Sequence, residues 1–360
     1  MFTATVRRLT PLLAALAALL VVQAPASAAP LKSIWGPLTL PDGQSAGPTY
    51  KTLGVDDVQT AVTWNTIAPK RPARPRDPND SAYHWPASVD RYIEQGRQFG
   101  YTVTVMLTGS PSWANGGRDP VYAPNARDFG DFAFAAAKRY PGVKRWMIWG
   151  EPTRRTQFKP EIPRHPSAAR RYARILDAAY GGIHRAARND IVIGGMSFTA
   201  GDIRPREWIK WMRLPDGKPP RLDWYGHNPF STRIPDLRNE PFGSNNNYDF
   251  SDLDTMYAQL RQTYRRAYPQ FRRRGPRIWV SEFTIQADHG SQDFNFYVSQ
   301  RDQGRWIAAA FREAGKTNYV AGVGWLGLLD EPVAPFNRTT GLLTYTLQRK
   351  PAFFAYQRAK

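Results

Sequence analysis

Short apolar segments rich in β-branched and aromatic residues recur along the chain from residue 33 onward. Segments of this kind that are bounded by polar or turn residues predict β-strands. Several are apolar almost without interruption, which is typical of parallel strands buried on both faces. The eight predicted strands are Ser33–Trp35, Val58–Trp64, Thr102–Leu107, Arg145–Trp149, Ile191–Gly194, Leu222–Tyr225, Arg277–Val280 and Val320–Trp325.

Amphipathic stretches with apolar residues at helical spacing separate many of these strands. Strands that alternate with helices in this way predict βαβ units and a parallel sheet. Eight such units in one chain predict an α/β fold, a single (β/α)8 TIM barrel, with an open doubly wound sheet as the alternative. The predicted helices are Val89–Phe99, Phe129–Tyr140, Ala168–Ala187, Leu253–Tyr268 and Gly304–Ala314.

Two long irregular segments follow the second and sixth predicted strands. Pro69–Asn79 is rich in Pro and Arg, and Ser231–Phe250 contains a run of consecutive asparagines. Loops of this length in a compact domain are usually functional or mobile. In a barrel both would lie at the C-terminal ends of the strands, where active sites form. The alternative is that they are variable surface structure.

The first 28 residues have the pattern of a secretory signal peptide. Arg7 and Arg8 precede the apolar run Leu12–Val22, and Ala26–Ala28 offers small residues for cleavage. The run is short for a membrane span, and an uncleaved anchor helix is the alternative. The predicted domains are therefore a signal peptide over residues 1–28 and a barrel over residues 29–360. We expect the mature protein to be secreted and free of the membrane.

The composition excludes several kinds of site. The 360-residue chain contains no Cys, which excludes disulfides and cysteine nucleophiles, and its 5 His have no metal-ligand spacing. Lys and Arg total 49 against 30 Asp and Glu, a formal net charge of +19. The basic runs Arg170–Arg171, Arg265–Arg266 and Arg272–Arg274 fall on predicted helices or helix ends, where charges usually form a solvated face. We therefore expect no nucleic-acid partner, no cofactor and no metal.

Two carboxylates follow apolar predicted strands at the end where barrel enzymes carry out chemistry. Glu151 comes after the fourth strand and Glu282 after the seventh. Side chains in these places point into the mouth of a barrel. A pair of carboxyl groups suits glycoside hydrolysis, in which one protonates the leaving oxygen and the other attacks or activates water. The alternative is that each glutamate is a rim charge paired with an arginine.

The segment Phe132–Pro152, which ends in RYPGVKRWMIWGEP, resembles clan A of the glycoside hydrolases, a group that includes families 5 and 39. The resemblance implies that Glu151 is the general acid/base and Glu282 the nucleophile. It extends over nearly all of the predicted mature chain, with supporting segments at Thr108–Ala114, Tyr225–Pro229 and Gly341–Ala352.

One position departs from the clan pattern. The asparagine that precedes the acid/base glutamate in the clan is Gly150 here. By the resemblance, that asparagine contacts the sugar 2-hydroxyl, a contact that strengthens in the transition state. The departure leaves the substrate class open. The amide of Asn228 or of Asn115 could replace the missing one.

Aromatic side chains are candidates for the sugar-binding surface. The chain contains 12 Trp, and an indole ring offers a flat apolar face to the C–H groups of a sugar. Trp64, Trp113 and Trp325 close predicted strands two, three and eight, which predicts a platform at the barrel mouth, with core packing as the alternative. The resemblance implies that Trp325 lies beneath the sugar. It also implies that the strand-six segment with Tyr225 and His227 touches the nucleophile.

Together these features predict a secreted, monomeric retaining glycosidase that cleaves O-glycosidic bonds of a polysaccharide or glycoside. In such an enzyme the two carboxyl groups lie about 5–5.5 Å apart, with Glu151 protonated at the start and Glu282 ionised. Two alternatives remain. A carbohydrate-binding barrel without turnover is suggested by Gly150, and a basic protein that binds a polyanion or cell wall is suggested by the net charge.

Overall fold

The computed structural model describes residues 29–160, 164–237, 247–292, 295–332 and 337–360. The predicted signal peptide over residues 1–28 lies outside these ranges. Part of the predicted loop after the sixth strand, residues 238–246, also lies outside them. Within the described ranges, no helix combines the length and the apolar character needed to cross a membrane.

Eight parallel strands form a closed barrel in which each strand pairs with its neighbours in the sequence. The last strand pairs with the first, for example Gly322 with Leu31, and this pairing closes the ring. The topology confirms the predicted (β/α)8 barrel and excludes the open doubly wound sheet. The strands are β1 (Leu31–Trp35), β2 (Asp57–Thr63), β3 (Thr102–Thr108), β4 (Arg145–Ile148), β5 (Ile191–Phe198), β6 (Trp224–Asn228), β7 (Arg277–Phe283) and β8 (Val320–Leu326).

The helices pack outside the barrel. All five predicted helices are confirmed with shifted ends, as Ala87–Phe99 (α3), Ala126–Arg139 (α5), Ser167–Ala186 (α6), Leu253–Tyr264 (α8) and Gln300–Gly315 (α9). The others have at most eight residues, too few for a clear helical period in the sequence. In the described part of the chain the helices are α1 (Gly47–Leu53), α2 (Trp64–Ile67), α3 (Ala87–Phe99), α4 (Ser112–Asn115), α5 (Ala126–Arg139), α6 (Ser167–Ala186), α7 (Pro205–Trp211), α8 (Leu253–Tyr264), α9 (Gln300–Gly315) and α10 (Pro351–Arg358).

The predicted loop after the second strand is anchored to the outside of the barrel by charge pairs. Residues 69–79 contain no helix or strand. Arg71 lies 3.1 Å from Asp128, and Arg76 lies 2.6 Å from Asp131, so both arginines reach helix α5. Asp131 is buried, which favours a fixed position for this end of the loop.

The interior of the barrel is filled with side chains and forms a core of its own. A separate and larger core lies between the strands and the surrounding helices. Because the interior is packed, the barrel is not a pore and a ligand can enter only at its ends. The buried residues of the interior cluster are Met147, Ile193, Met196, Trp279 and Ala321.

A buried ion pair lies among β1 to β4. Arg145, the first residue of β4, places a guanidinium nitrogen 2.6 Å from the Asp57 carboxylate, and both side chains are almost fully enclosed. The hydroxyls of Ser33 and Thr104 each donate to the same carboxylate at 2.9 Å. The carboxylate therefore has a full set of partners, as a charge away from water requires.

We expect Arg145→Met to lower the free energy of unfolding by about 3–5 kcal/mol, because it leaves the Asp57 charge buried without its counter-charge. The double variant Arg145→Met with Asp57→Asn should recover much of that loss. Urea unfolding measures both. A single variant within about 1 kcal/mol of the wild type would contradict this account of the pair.

Candidate active site

A cavity of about 580 Å³ opens among the loops that follow the C-terminal ends of the barrel strands. Glu151 and Glu282 both lie in its wall, so the fold brings the two predicted carboxylates into one site. The other described residues that line it are Arg154, Phe198, Thr199, Ala200, Phe230, Ser231, Thr232, Asn247, Asn295, Phe296, Leu326, Arg338 and Thr340.

A sharp backbone turn after β4 brings Glu151 to the cavity. The strand ends at Ile148, and Trp149 and Glu151 then adopt φ angles of +67° and +42°. Residues other than glycine rarely hold this left-handed conformation, and strain of this kind is often found at functional sites. The turn sends the Trp149 ring into the outer core against Phe158, while Glu151 reaches the cavity wall.

Two donors converge on the Glu151 carboxylate. The side-chain amide of Asn228 donates to one oxygen at 2.9 Å, and the guanidinium of Arg154 donates to the other at 2.8 Å. The orientation of the Asn228 amide is fixed because its oxygen accepts a hydrogen bond from the Ser281 hydroxyl. Charge-assisted hydrogen bonds of this kind favour the ionised carboxylate. The two donors therefore fix the orientation of the Glu151 carboxyl group.

Glu282 is in the opposite situation. It lies in β7 between buried Ser281 and Phe283, and no described residue donates a hydrogen bond to its carboxyl group. The pKa of Glu282 is raised to about 8. Loss of hydration is the larger cause, and the negative charge of Glu151 is the second. The cations Arg338 and Arg154 oppose that rise. At neutral pH the coupled pair therefore keeps a proton that an isolated glutamate would have released.

The two carboxyl groups differ in their surroundings, and the difference lies in the placement of the donors. Asn228 and Arg154 both bind Glu151, whereas Glu282 is left with the desolvation and with the repulsion of its neighbour. The pattern of strands and helices in the sequence does not indicate either of these two hydrogen bonds.

Three of the predicted sugar-binding residues lie away from the cavity wall. Trp64, the first residue of α2, is fully buried and stacks on Phe132 with ring centroids 5.0 Å apart. Trp113 packs edge-on against Trp64 and has the Arg71 guanidinium 4.5 Å from its ring centre. Asn115 uses its amide in its own turn, where it bonds the backbone of residues 118 and 119.

The other four predicted residues lie in β6 and β8 and are buried. Trp325 is fully buried and donates from its ring nitrogen to the Thr340 carbonyl at 2.9 Å, so neither ring face is open to a sugar. Tyr225 and His227 are also fully buried. Of these four, Asn228 is the one that bonds a candidate catalytic group.

His227 is a neutral structural group in this arrangement. One ring nitrogen lies 2.8 Å from the Ser197 hydroxyl, and the other lies 2.7 Å from the Tyr248 carbonyl. Burial lowers the pKa of His227 to about 4, so the ring is uncharged at neutral pH. Its contacts tie β6 to β5 and to the loop before α8. It therefore supports the strand end that carries Asn228.

The residues that the sequence did not single out supply most of the cavity wall. Phe198 at the end of β5 and Phe230 after β6 meet edge to face with centroids 5.6 Å apart, and they provide the apolar surface expected of the tryptophans. Arg154 stands 5.2 Å over the Phe198 ring. The one feature of the sequence that points to Arg154 is its position three residues after Glu151, on the same turn.

In the ranges the structure describes, no cluster of three or more His, Asp or Glu side chains has an arrangement that could hold a metal ion.

Several solved structures of glycoside hydrolases resemble this chain. A family 39 glycoside hydrolase from Bacteroides cellulosilyticus WH2 has a TM-score of 0.66 at 15% identity, covering 91% of this chain and 63% of that one. A glucosidase from Croceicoccus marinus has a TM-score of 0.62 at 13% identity, covering 91% and 66%. A GH39 β-xylosidase from Caulobacter crescentus has a TM-score of 0.59 at 16% identity, covering 92% and 72%.

The chain shares the barrel fold of these glycoside hydrolases. It spans somewhat less than two thirds of the length of the first two, at 63% and 66%. No family model matches the sequence, and no curated protein is significantly similar to it. The structural neighbours agree with the resemblance to clan A, and at these identities they establish the fold.

The retained proton on Glu282 should make the protein less stable as the pH rises. The unfolded chain releases this proton near the ordinary value of 4.5, whereas the folded chain keeps it up to about pH 8. The native state therefore binds more protons across this window, and the free energy of unfolding falls with increasing pH.

We expect Glu282→Gln to raise the free energy of unfolding at pH 7.5 by about 1–3 kcal/mol, and to have little effect at pH 4. Glu94→Gln is the control, because that side chain is 72% exposed on α3 and is solvated in both states. Urea unfolding at the two pH values gives the comparison. A loss of stability at pH 7.5, or the same change at both pH values, would speak against the assignment.

Proposed function

We propose that the protein is a retaining glycoside hydrolase that acts on the O-glycosidic bonds of a polysaccharide or glycoside. The observation that carries the proposal is the presence of two carboxyl groups, Glu151 and Glu282, in one cavity at the C-terminal end of a (β/α)8 barrel. This end of the barrel is where enzymes of this fold place their chemistry. A carboxyl pair that shares one proton has the acid and the base that glycoside hydrolysis needs.

In the proposed first step the Glu282 carboxylate attacks the anomeric carbon while Glu151 protonates the oxygen of the leaving group. The glycosidic bond breaks, and an ester bond forms between the sugar and Glu282. In the second step Glu151 takes a proton from a water molecule. The resulting hydroxide breaks the ester bond, which releases the sugar with its original anomeric configuration.

The reactive state needs the proton of the pair on Glu151 and the negative charge on Glu282. Asn228 fixes the position of the Glu151 carboxyl group, because the Asn228 amide is itself oriented by Ser281.

The N-terminal sequence supports export as part of this proposal. Residues 1–28 have the charge, apolar run and small residues of a cleavable signal. A secreted monomer would meet its polysaccharide or glycoside outside the cell. The strongly basic composition is compatible with a surface that stays in solution near anionic glycans.

A carbohydrate-binding protein without turnover is the second candidate, and Gly150 is the observation that favours it. A Cβ at Gly150 would lie 3.1 Å from the sulfur and the methyl carbon of Met106, so a larger residue requires Met106 to move. The amide of Asn228 is present beside Glu151, but it already bonds that carboxylate. A binder would take up glycans and leave them intact.

We expect Glu282→Gln to abolish hydrolysis of aryl glycosides, and Glu151→Gln to lower kcat by about 10²–10⁴-fold for substrates with a poor leaving group. Glu94→Gln, the same substitution on an exposed surface, should keep wild-type rates. Release of the aryl group measures all three.

The stereochemistry of the product provides an independent measurement. Proton NMR of the first product formed should show retention of the anomeric configuration. Inversion would contradict the double displacement. Glycan binding with no turnover in any variant, the wild type included, would establish the second candidate.

A further inference from the structure

A groove runs along the outside of the barrel between helices α9 and α10. It has a volume of about 610 Å³, and none of its described lining residues belongs to the wall of the candidate active site. The two helices lie side by side and run in the same direction. A Cβ on Gly304 would lie 3.3 Å from the Pro351 carbonyl oxygen, and further along α9 the Phe311 ring meets Tyr356 with centroids 5.5 Å apart. Each helix therefore forms one wall of the groove.

The charged side chains among the described lining residues of this groove are all cationic. Arg301, Arg305 and Arg312 come from α9. Arg358 comes from α10, and Lys360 follows it. A cleft lined by charges of one sign focuses the electric field and raises the local concentration of ions of the opposite sign. Charges on a helix usually form a solvated convex face, but these line a concave surface, which favours an anionic ligand.

The arginines of α9 form a row along the groove. Positions 301, 305, 308 and 312 are three or four residues apart, so they share one face of the helix. The row is about 16 Å long at the rise of an α-helix. Ala308 stands in the middle of the row, and Ala355 has the corresponding place on α10, so both walls carry small side chains there. An extended chain can therefore lie along the row of guanidinium groups.

The guanidinium groups at the two ends of the groove are available to a ligand. Arg301 and Arg358 are exposed and form no ion pair with a described residue. Arg305 lies 2.8 Å from exposed Asp302, and Arg312 lies 3.1 Å from Glu313, each on the same helix. Because ion pairs of exposed arginines contribute little to stability, an incoming anion displaces them at small cost.

The groove offers no flat surface to a ring. Phe311 is the one aromatic residue among its described lining residues, and its side chain is buried. Sugar rings and nucleobases both gain much of their affinity by packing on exposed aromatic faces. The groove therefore favours an anionic chain that carries its charges on an acyclic backbone.

We propose that the groove between α9 and α10 binds a linear polyol phosphate, a polymer in which short acyclic alcohols join phosphodiester groups. A guanidinium group offers two parallel N–H donors that match two phosphate oxygens. The steps along α9 from Arg301 to Arg305 and from Arg305 to Arg312 are unequal, about 6 Å and about 10 Å. An acyclic backbone adjusts the spacing of its charges to such steps, whereas a chain of rigid rings keeps a fixed spacing.

One end of the groove lies at the same end of the barrel as the candidate active site. Phe296 lines the cavity, and α9 begins shortly after it, at Gln300. Helices of a (β/α)8 barrel run back from the C-terminal ends of the strands, so Arg301 is near the cavity and Arg358 is far from it. A polymer in the groove would hold the protein on a phosphate-bearing surface and leave the cavity open.

Fluorescence anisotropy with a labelled oligo(glycerol phosphate) tests the proposal on the purified protein. The double variant Arg301→Gln with Arg358→Gln removes the two unpaired guanidinium groups. We expect its Kd to rise at least about tenfold, because two charge-assisted contacts are lost. The slope of log Kd against log salt concentration should also decrease by about one to two.

The matched control is Arg265→Gln with Arg266→Gln, which removes the same charge from two exposed arginines just after α8, outside the groove. Its Kd should stay within about twofold of the wild type, since a general attraction to the basic surface changes little with two charges. Equal losses in the two double variants, or no binding by the wild type at low salt, would overturn the proposal.

Single-stranded DNA with the same number of phosphates and vesicles of phosphatidylglycerol separate the other sources of phosphate. We expect the wild type to bind both at least about tenfold more weakly than the polyol phosphate, because bases lack a stacking surface and a membrane reaches only the rim of the groove. DNA or vesicles bound as tightly as the polyol phosphate, and weakened by Arg301→Gln with Arg358→Gln, would assign the groove to that ligand and overturn the proposal. Binding is measured without a glycoside, so the result is independent of the proposed function.

Discussion

Two carboxyl groups in one cavity repel each other when both are ionised, and this constraint orders the rest of the site. Burial and the charge of Glu151 raise the pKa of Glu282 to about 8, so the coupled pair keeps one proton at neutral pH. Asn228 and Arg154 bind the Glu151 carboxyl group, whereas no described residue donates to Glu282. The two members of the pair are therefore held in different surroundings.

The barrel fixes the positions of the groups that form this site. A packed interior and the buried pair of Arg145 with Asp57 fix the strands, and the strand ends then carry the site. A hydrogen-bonded chain from Ser281 through Asn228 to Glu151 crosses from β7 to β6 to the end of β4. Arg154 stands on a short turn beside Glu151 and is partly exposed. The two ion pairs thus differ in exposure: the pair of Arg145 with Asp57 is enclosed, and the pair of Arg154 with Glu151 lies in the cavity wall.

The sequence predicted the barrel because buried parallel strands and amphipathic helices each leave a periodic trace. It also predicted the two glutamates, since both follow apolar strands at the same end. It could not predict which tryptophans face a ligand, because Trp64 and Trp325 have the same pattern whether their rings point to the cavity or into the core. The hydrogen bond that orients the Glu151 carboxyl group was equally hidden. It depends on Asn228, which lies 77 residues from Glu151 in the chain and meets it only in the folded barrel.

The most direct test of this account is a titration of the glutamate carboxyl groups by ¹³C NMR on protein labelled at glutamate. The account predicts one signal with a midpoint near 8, which is missing in the Glu282→Gln variant. A titration in which every glutamate has its midpoint below about 5 would contradict it, because both members of the pair would then be ionised together in the resting cavity.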